Sequence, residues 1–236
     1  GDTLHKHGPY RFALYPCRGG RTPELDNPEH LEQLGRLIGR IHAMGTVQDY
    51  QHRPTVDIDS LAIKPQTFLL SKGFIPDHLV TAYRTLTDDL IKQIQACFER
   101  TGKVQHLRLH GDCHPGNILW TDSGPHIVDF DDARMGPAIQ DLWMFLSGDR
   151  EYMSARLGEL LEGYTRFFDF NPIELHLIEA LRTLRMIHYA GWLASRWSDP
   201  AFPLAFPWFN TPRYWEEHVL SLREQAALLD EPPLVY

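Results

Sequence analysis

Apolar residues recur at three- and four-residue intervals over most of this chain, and strand-like runs are short and few. Asn27 and Pro28 open the first periodic stretch, with Leu31, Leu34, Ile38 and Ile41 on one face and Gly45 at its end. A polar side chain caps the free N–H groups, proline needs no N–H at the first position, and glycine tolerates the exit turn, so a helix is predicted here. Pro76 to Arg100 reads as a long amphipathic helix with Leu79, Tyr83, Leu86, Leu90, Ile94, Cys97 and Phe98 inward. Further helices are predicted over Ala138–Phe145, Tyr152–Phe168 and Ile173–Trp197, the last apolar on most faces and therefore buried. Tyr10–Tyr15 reads as a strand and Pro16–Arg21 as a flexible connector. Residues 46–75 read as irregular apart from a short helix near Gln66–Ser71. An aromatic-rich segment, Pro200 to Trp215, leads into a closing helix that ends near Leu229. There are no internal repeats and no low-complexity tracts.

One short region breaks the helical pattern. His110 to Pro115 is a loop rich in turn formers, Ile118-Leu119-Trp120 is an apolar strand, Asp122-Ser123-Gly124 is a turn, and His126-Ile127-Val128 is a returning strand. A hairpin of this length brings Asn117, at the start of its first strand, close to Asp129, at the end of its second, with Asp112 on the loop just before. Three oxygen-bearing side chains thus converge without help from distant sequence. Phosphoryl transfer from a nucleotide uses such a set: one carboxylate orients or accepts the proton of the attacking hydroxyl, and an amide oxygen and a second carboxylate hold magnesium. Magnesium keeps several waters, so two protein oxygens plus phosphate suffice. The protein-kinase pattern H-R-D-x-x-x-x-N followed by D-F-G appears here as His110-Gly111-Asp112 with Asn117, then Asp129-Phe130-Asp131. Singly, a loop aspartate or a pre-strand asparagine is an ordinary turn residue; the joint register favours catalysis.

Neighbouring residues carry plainer expectations. His110 is expected to pack under the loop and bond its backbone. His114 is either a loop brace or a substrate-side contact. Cys113 has no CxxC partner or basic neighbour to activate it. Asp131 and Asp132 form an acidic rim or a site for a cationic group. Trp192, Trp197, Trp208 and Trp215 are most simply packing residues, and Arg182, Arg185 and Arg196 are expected to find acids such as Asp131 or Asp132.

Composition narrows the setting. A chain of 236 residues with 43% hydrophobic content can bury a sizeable core. Its net charge of −8 argues against nucleic acid as a partner. Cys17, Cys97 and Cys113 lack framework spacing, so a reducing compartment is expected. No apolar run approaches the roughly 20 residues of a membrane span, and no signal peptide is recognised, so a cytoplasmic protein without membrane contact is expected.

The chain resembles the bacterial stress response kinases, Ser/Thr kinases of the aminoglycoside-phosphotransferase-like group. The segments that carry this are Arg108 to His114, Gly116 to Trp120, Val128-Asp129 with Asp131 to Arg134, Gly136-Pro137-Ala138 with Gln140 to Met144, Trp197 with Asp199 to Pro203, Phe206-Pro207-Trp208, and Glu231 to Leu234. The resemblance implies an α+β, mostly helical fold: a kinase-like C-terminal lobe (22–236) with a small β-hairpin at the active site, preceded by a remnant of the N-terminal lobe and hinge (1–21). It implies ATP and Mg2+, with Asp112 as catalytic base, Asn117 and Asp129 as metal ligands, and Asp129 also acting in catalysis. Backbone of the hinge residues Tyr15, Pro16 and Cys17 would meet adenine. His110 and Asp141 would support the site, Asp141 by bonding back to the catalytic-loop backbone.

The family's strand lysine and helix glutamate have no counterpart: Lys6 is the only lysine before the connector, and no helix separates it from Tyr10. A truncated kinase is therefore expected, inactive in isolation, with an apolar end near Tyr10, Phe12 and Leu14 prone to self-association. The expected acceptor is a protein Ser/Thr hydroxyl. A small-molecule kinase of the aminoglycoside or choline type is the runner-up. A metal-dependent phosphohydrolase built on His110, Asp112, His114, Asp129 and Asp131, and a non-catalytic binding lobe, remain as other classes.

Overall fold

Helices and tight turns carry most of the chain, and three two-stranded antiparallel ladders join them in the computed structural model, which describes residues 4–236. β1 (His5–His7) pairs with β2 (Tyr10–Phe12) at an exposed end, and Lys6 lies on β1. The strand read over Tyr10–Tyr15 stops at Phe12; Leu14 and Tyr15 are largely exposed and have no partner strand. The connector then docks on the hairpin, where Arg21 exchanges two backbone hydrogen bonds with Trp120 (2.9 and 2.8 Å).

α1 (Pro28–Gly45) begins where the cap signal places it, the Asn27 side chain accepting from the Glu29 N–H. Leu31, Leu34 and Ile38 are fully buried, while Ile41 is only half-buried and His42 takes the inward position beside it. A pitch of 3.6 residues rotates the buried stripe past Ile41 by that turn. The segment read as irregular contains a π-helical turn (Asp59–Ile63) that runs straight into α2 (Lys64–Ser71). α3 (Asp77–Thr101) matches its sequence pattern, with Tyr83, Leu90, Ile94 and Cys97 in the core.

β3 (Leu107–Leu109) feeds the loop at 110–117; β4 (Ile118–Thr121) and β5 (Gly124–Ile127) form the expected hairpin; β6 (Arg134–Gly136) returns beside β3 with Leu109 opposite Arg134. The two ladders therefore clamp the 110–117 loop against the 128–133 segment. Gly111 sits at the closest point, with φ +89° and no room for a Cβ, which would fall 2.2 Å from the Asp132 carbonyl.

The helix predicted over Ala138–Phe145 is instead two 3-10 turns, Ala138–Asp141 and Trp143–Phe145. Asp141 spends its carboxylate on the catalytic-loop backbone, which holds this segment in tight turns. α4 (Arg150–Tyr164) lies against α1, where Gly163 meets the Glu32 carbonyl and Gly35 the Leu160 carbonyl. After a 3-10 stretch (Pro172–Leu177), α5 (Ile178–Ser195) runs through the centre and buries Leu181, Leu184, Ile187, Ala190 and Leu193. α6 (Ala201–Ala205) is short, and α7 (Pro212–Leu228) closes on α3 through the fully buried Trp215, whose ring meets Tyr83 edge-on. Trp208, by contrast, is 45% exposed. No helix among the described residues is long and apolar enough to cross a membrane.

Candidate active site

Asp112 stands on the loop between β3 and β4, and the loop is braced from beneath. The buried His110 ring bonds the Val128 carbonyl through Nε2 (2.8 Å), receives the Asp112 N–H on Nδ1 (3.3 Å), and meets Phe130 edge-on. The buried Asp141 carboxylate accepts from the His110 N–H (2.7 Å) and the Gly111 N–H (2.8 Å), and contacts His42 Nε2 (3.1 Å), whose other ring nitrogen meets the Tyr164 hydroxyl (2.8 Å). Gln140 donates to the Gly111 carbonyl (2.9 Å). The N–H groups of His110, Gly111 and Asp112 and the Gly111 carbonyl thus all have side-chain partners, which hold the loop in one geometry. Burial pushes the Cys113 thiol well up, with Asp141 and Asp112 adding to it, so this cysteine is not a ready nucleophile.

Asn117 and Asp129 flank the hairpin's open end. The Asn117 side-chain N–H donates to the Asp112 carbonyl (2.9 Å), and the Asn117 carbonyl accepts the Val128 N–H (3.0 Å). One residue on, Asp129 has φ +65° and ψ +66°, the left-handed region and the sole non-glycine case among the described residues. Such a conformation costs of order 1–3 kcal/mol and persists only where the surroundings enforce it, as at ligand clamps. The Asp129 side chain is exposed and makes no hydrogen bond or ion pair among the described residues. With its amide N–H committed to Asp112, Asn117 is left with its side-chain oxygen for a ligand. Two hard oxygens at one hairpin end suit magnesium.

Asp112 lines a cleft of about 710 Å³ together with Gly111, His114, Arg185, His188 and Tyr189; Asn117 and Asp129 are not among its lining residues. Arg185, on α5, donates to Asp112 Oδ1, and His114 Nε2 lies 3.5 Å from Oδ2. His114 also accepts the Gly116 N–H on Nδ1 (3.0 Å), so it both braces the loop and lines the cleft. The expected pairing of α5 arginines with Asp131 or Asp132 is not what forms. Asp132 pairs with Arg134 (2.7 Å), the Asp131 carbonyl takes Arg53, Arg182 pairs with Glu179 (3.1 Å), and Arg196 lies over the Trp192 ring. Arg185 does find an acid, but the acid is Asp112, a partner that pattern reading did not assign to it. Its signal was an arginine on a largely buried helix, where a charge needs a partner. Tyr15, Pro16 and Cys17 are exposed and precede the Arg21–Trp120 bridge. No group of three His, Cys, Asp or Glu side chains able to hold a metal exists among the described residues, so the His/Asp cluster of a phosphohydrolase is not assembled here.

Behind the 138–141 turn, Glu174 is buried and accepts the Ile139 N–H (3.0 Å). Burial raises its carboxyl from 4.5 to about 7, against the opposing backbone bonds from Ile139 and Ala138. An unfolded chain releases this proton near 4.5, whereas the folded one holds it to about 7. The folded state therefore binds more protons in that window, and stability falls as pH rises through it, then levels. Glu174→Gln keeps an acceptor for Ile139 but cannot ionise. Thermal melts from pH 5 to pH 8 should show wild type losing Tm relative to the glutamine variant, and parallel curves would show that Glu174 does not titrate in this range.

The model of the phosphotransferase enzyme family matches residues 1–208. Stress response kinase A of Escherichia coli (strain K12) is 45% identical over 234 residues, which is 99% of this chain and 70% of that protein. Serine/threonine protein kinase RdoA of Salmonella typhimurium is 42% identical over the same share of each. Among solved structures, amicoumacin kinase hAmiN in complex with AMP-PNP, Ca2+ and Ami superposes with a TM-score of 0.64 at 18% identity, over 95% of this chain and 65% of that one. The chain thus spans just under two thirds of that kinase, and the kinase-like fold extends over nearly all of the chain. By family model and by curated relatives, the chain belongs to the phosphotransferase enzyme family, alongside stress response kinase A.

Proposed function

We propose that this chain is the acceptor-binding, catalytic part of a kinase that moves the terminal phosphoryl group of ATP to an alcohol, with a Ser/Thr side chain of a protein as the preferred acceptor. The observation that carries the reading is the division of the site. Asp112 opens on a cleft that Asn117 and Asp129 do not line, while Asn117 is tied to the Asp112 backbone. An in-line transfer needs a base that reaches the acceptor hydroxyl and metal ligands that reach the nucleotide phosphates. Asn117 and Asp129 would hold magnesium, which would supply charge neutralisation for the nucleotide phosphates. Asp112 accepts the hydroxyl proton as the alcohol oxygen attacks. Asp141, His110 and Gln140 keep the loop carrying Asp112 in register.

The protein acceptor rests on relatives named as serine/threonine kinases. A small-molecule alcohol is the second reading, because a cleft of about 710 Å³ falls in the size range of small-ligand sites. We assign residues 22–236 to the catalytic lobe and the segment ahead of Arg21 to the hinge side. The test is Asp129→Ala in the natural protein that contains this chain. Affinity for magnesium–nucleotide, measured by calorimetry, should fall about 10- to 100-fold, a range reached even by outer-shell changes at metal sites. Unchanged affinity would remove Asp129 from the metal site and with it this reading.

A further inference from the structure

The cleft in front of Asp112 gathers guanidinium groups that the acidic character of the molecule does not lead one to expect. The chain carries a formal net charge of −8. Yet Arg134, Arg182 and Arg185 all line the cleft, against the carboxylates of Asp112 and Asp132. Arg134 is committed to Asp132, through Nη2 to the carboxylate (2.7 Å) and Nε to the carbonyl (2.8 Å). Arg182 keeps Nε on Glu179 and rests on the Trp143 ring at 5.0 Å. Arg185 is different. Among the described residues its hydrogen bonding is confined to Nη1 and Asp112, and its side chain is 39% exposed. A guanidinium has five N–H donors in a planar fork, so Arg185, which lines the cleft, has donors left beyond its contact with Asp112. His188, one turn further along α5, also lines the cleft and makes no hydrogen bond among the described residues. Its imidazole is held below its ordinary value first by burial, then by Arg134, with Arg185 and Arg196 also lowering it and Asp132 opposing. Several guanidiniums therefore act on one point of the cleft wall.

Cationic acceptors fit this wall poorly, since like charges in a half-enclosed cleft repel and a guanidinium offers donors only. Anions fit it well, through paired charge-assisted bonds to carboxylate or phosphate. We propose that the acceptor of this kinase is an anionic alcohol, a hydroxyl whose near neighbour is a carboxylate or a phosphate, and that Arg185, supported by Arg182 and His188, reads that anion. In a protein this is a serine or threonine beside acidic residues; in a small molecule it is an acid or phosphoester bearing a free hydroxyl. Arg185 also couples recognition to chemistry. In the absence of acceptor its guanidinium is shared with the base. An arriving anion draws on the same fork, loosening its hold on Asp112 Oδ1 as the hydroxyl comes within reach. The inference rests on the kinase reading for the word acceptor, but the anion site itself can be measured without catalysis.

The experiment has a binding arm and a transfer arm, both in the natural protein. Fluorescently labelled serine peptides with acidic or basic flanks are titrated by anisotropy, with glycerol 3-phosphate as a small anionic competitor. The same peptides, glycerol 3-phosphate and an aminoglycoside are then offered with magnesium–ATP. The acidic peptide should bind about tenfold or more tightly than the basic one, as expected for one charge-assisted contact, and the gap should narrow in Arg185→Gln and with added salt. Arg182→Gln, expected to narrow it less, serves if Arg185→Gln does not fold. Transfer should follow the same order, the difference residing mainly in KM. Preferential transfer to glycerol 3-phosphate over the acidic peptide assigns the anion to a small substrate. Transfer indifferent to acceptor charge, or best with the basic peptide or the aminoglycoside, overturns the inference while leaving the kinase reading intact. Arg185-dependent binding of acidic peptide without any transfer overturns the kinase reading and keeps the anion site.

Discussion

Asp112→Asn is expected to lower kcat by about 10³-fold, within the range that a positioned general base contributes, while affinity for nucleotide stays near wild type. Asparagine keeps the shape of the side chain but cannot take the hydroxyl proton, and it also loses its ion pair with Arg185. Nucleotide affinity is spared because Asp112 lines the cleft, and Asn117 and Asp129, the proposed metal ligands, do not. Steady-state kinetics and nucleotide calorimetry on the same preparation separate the two effects, since a group acting in the chemical step moves kcat rather than binding. Equal losses of nucleotide affinity in Asp112→Asn and Asp129→Ala would make Asp112 a metal ligand and sink its role as base.

Asp141→Ala should damage both stability and activity. Asp141 is 1% exposed, and its carboxylate takes the N–H groups of His110 and Gly111 and faces His42. Alanine leaves two buried backbone donors unpaired, each costing about 1–3 kcal/mol, and strands a buried imidazole, for a total of about 3–5 kcal/mol. In a chain of this size the melting temperature should drop by roughly 10 °C. Asp141→Asn retains one acceptor oxygen and should lose about half as much. Activity should fall below what the unfolded fraction explains, because a loop displaced by about an ångström misplaces Asp112. A melt within about 2 °C of wild type would mean that the loop amides find other partners and that Asp141 does not hold the loop.

Much of the site was readable because its parts are local. Asp112, Asn117 and Asp129 belong to one loop and one hairpin, whose strand pairing of Ile118 with Ile127 follows from turn chemistry and short apolar runs. The cap at Asn27, the proline at position 28 and the apolar spacing through Ile38 likewise specified α1 from neighbours alone. The errors have physical causes. Ala138–Phe145 has helical composition, but Asp141 and Gln140 bond to a loop some 30 residues earlier, and these tertiary contacts override local propensity. The π-helical turn at Asp59–Ile63 is equally invisible to a 3.6-residue count.

By itself the sequence determined that Asp112, Asn117 and Asp129 belong to one loop and one hairpin, since their spacing and the turn chemistry between them are local. Tertiary structure alone decided which charges they meet. Arg185 lies 73 positions from Asp112, and His42 lies 99 from Asp141. An arginine on a half-buried helix face has the same pattern whether it faces solvent, a neighbour's carboxylate or a substrate. The packing of α5 beside the 110–117 loop, with Leu181, Leu184 and Ile187 buried in the core, brought one such arginine to Asp112 and placed three guanidiniums on the cleft wall of an acidic protein.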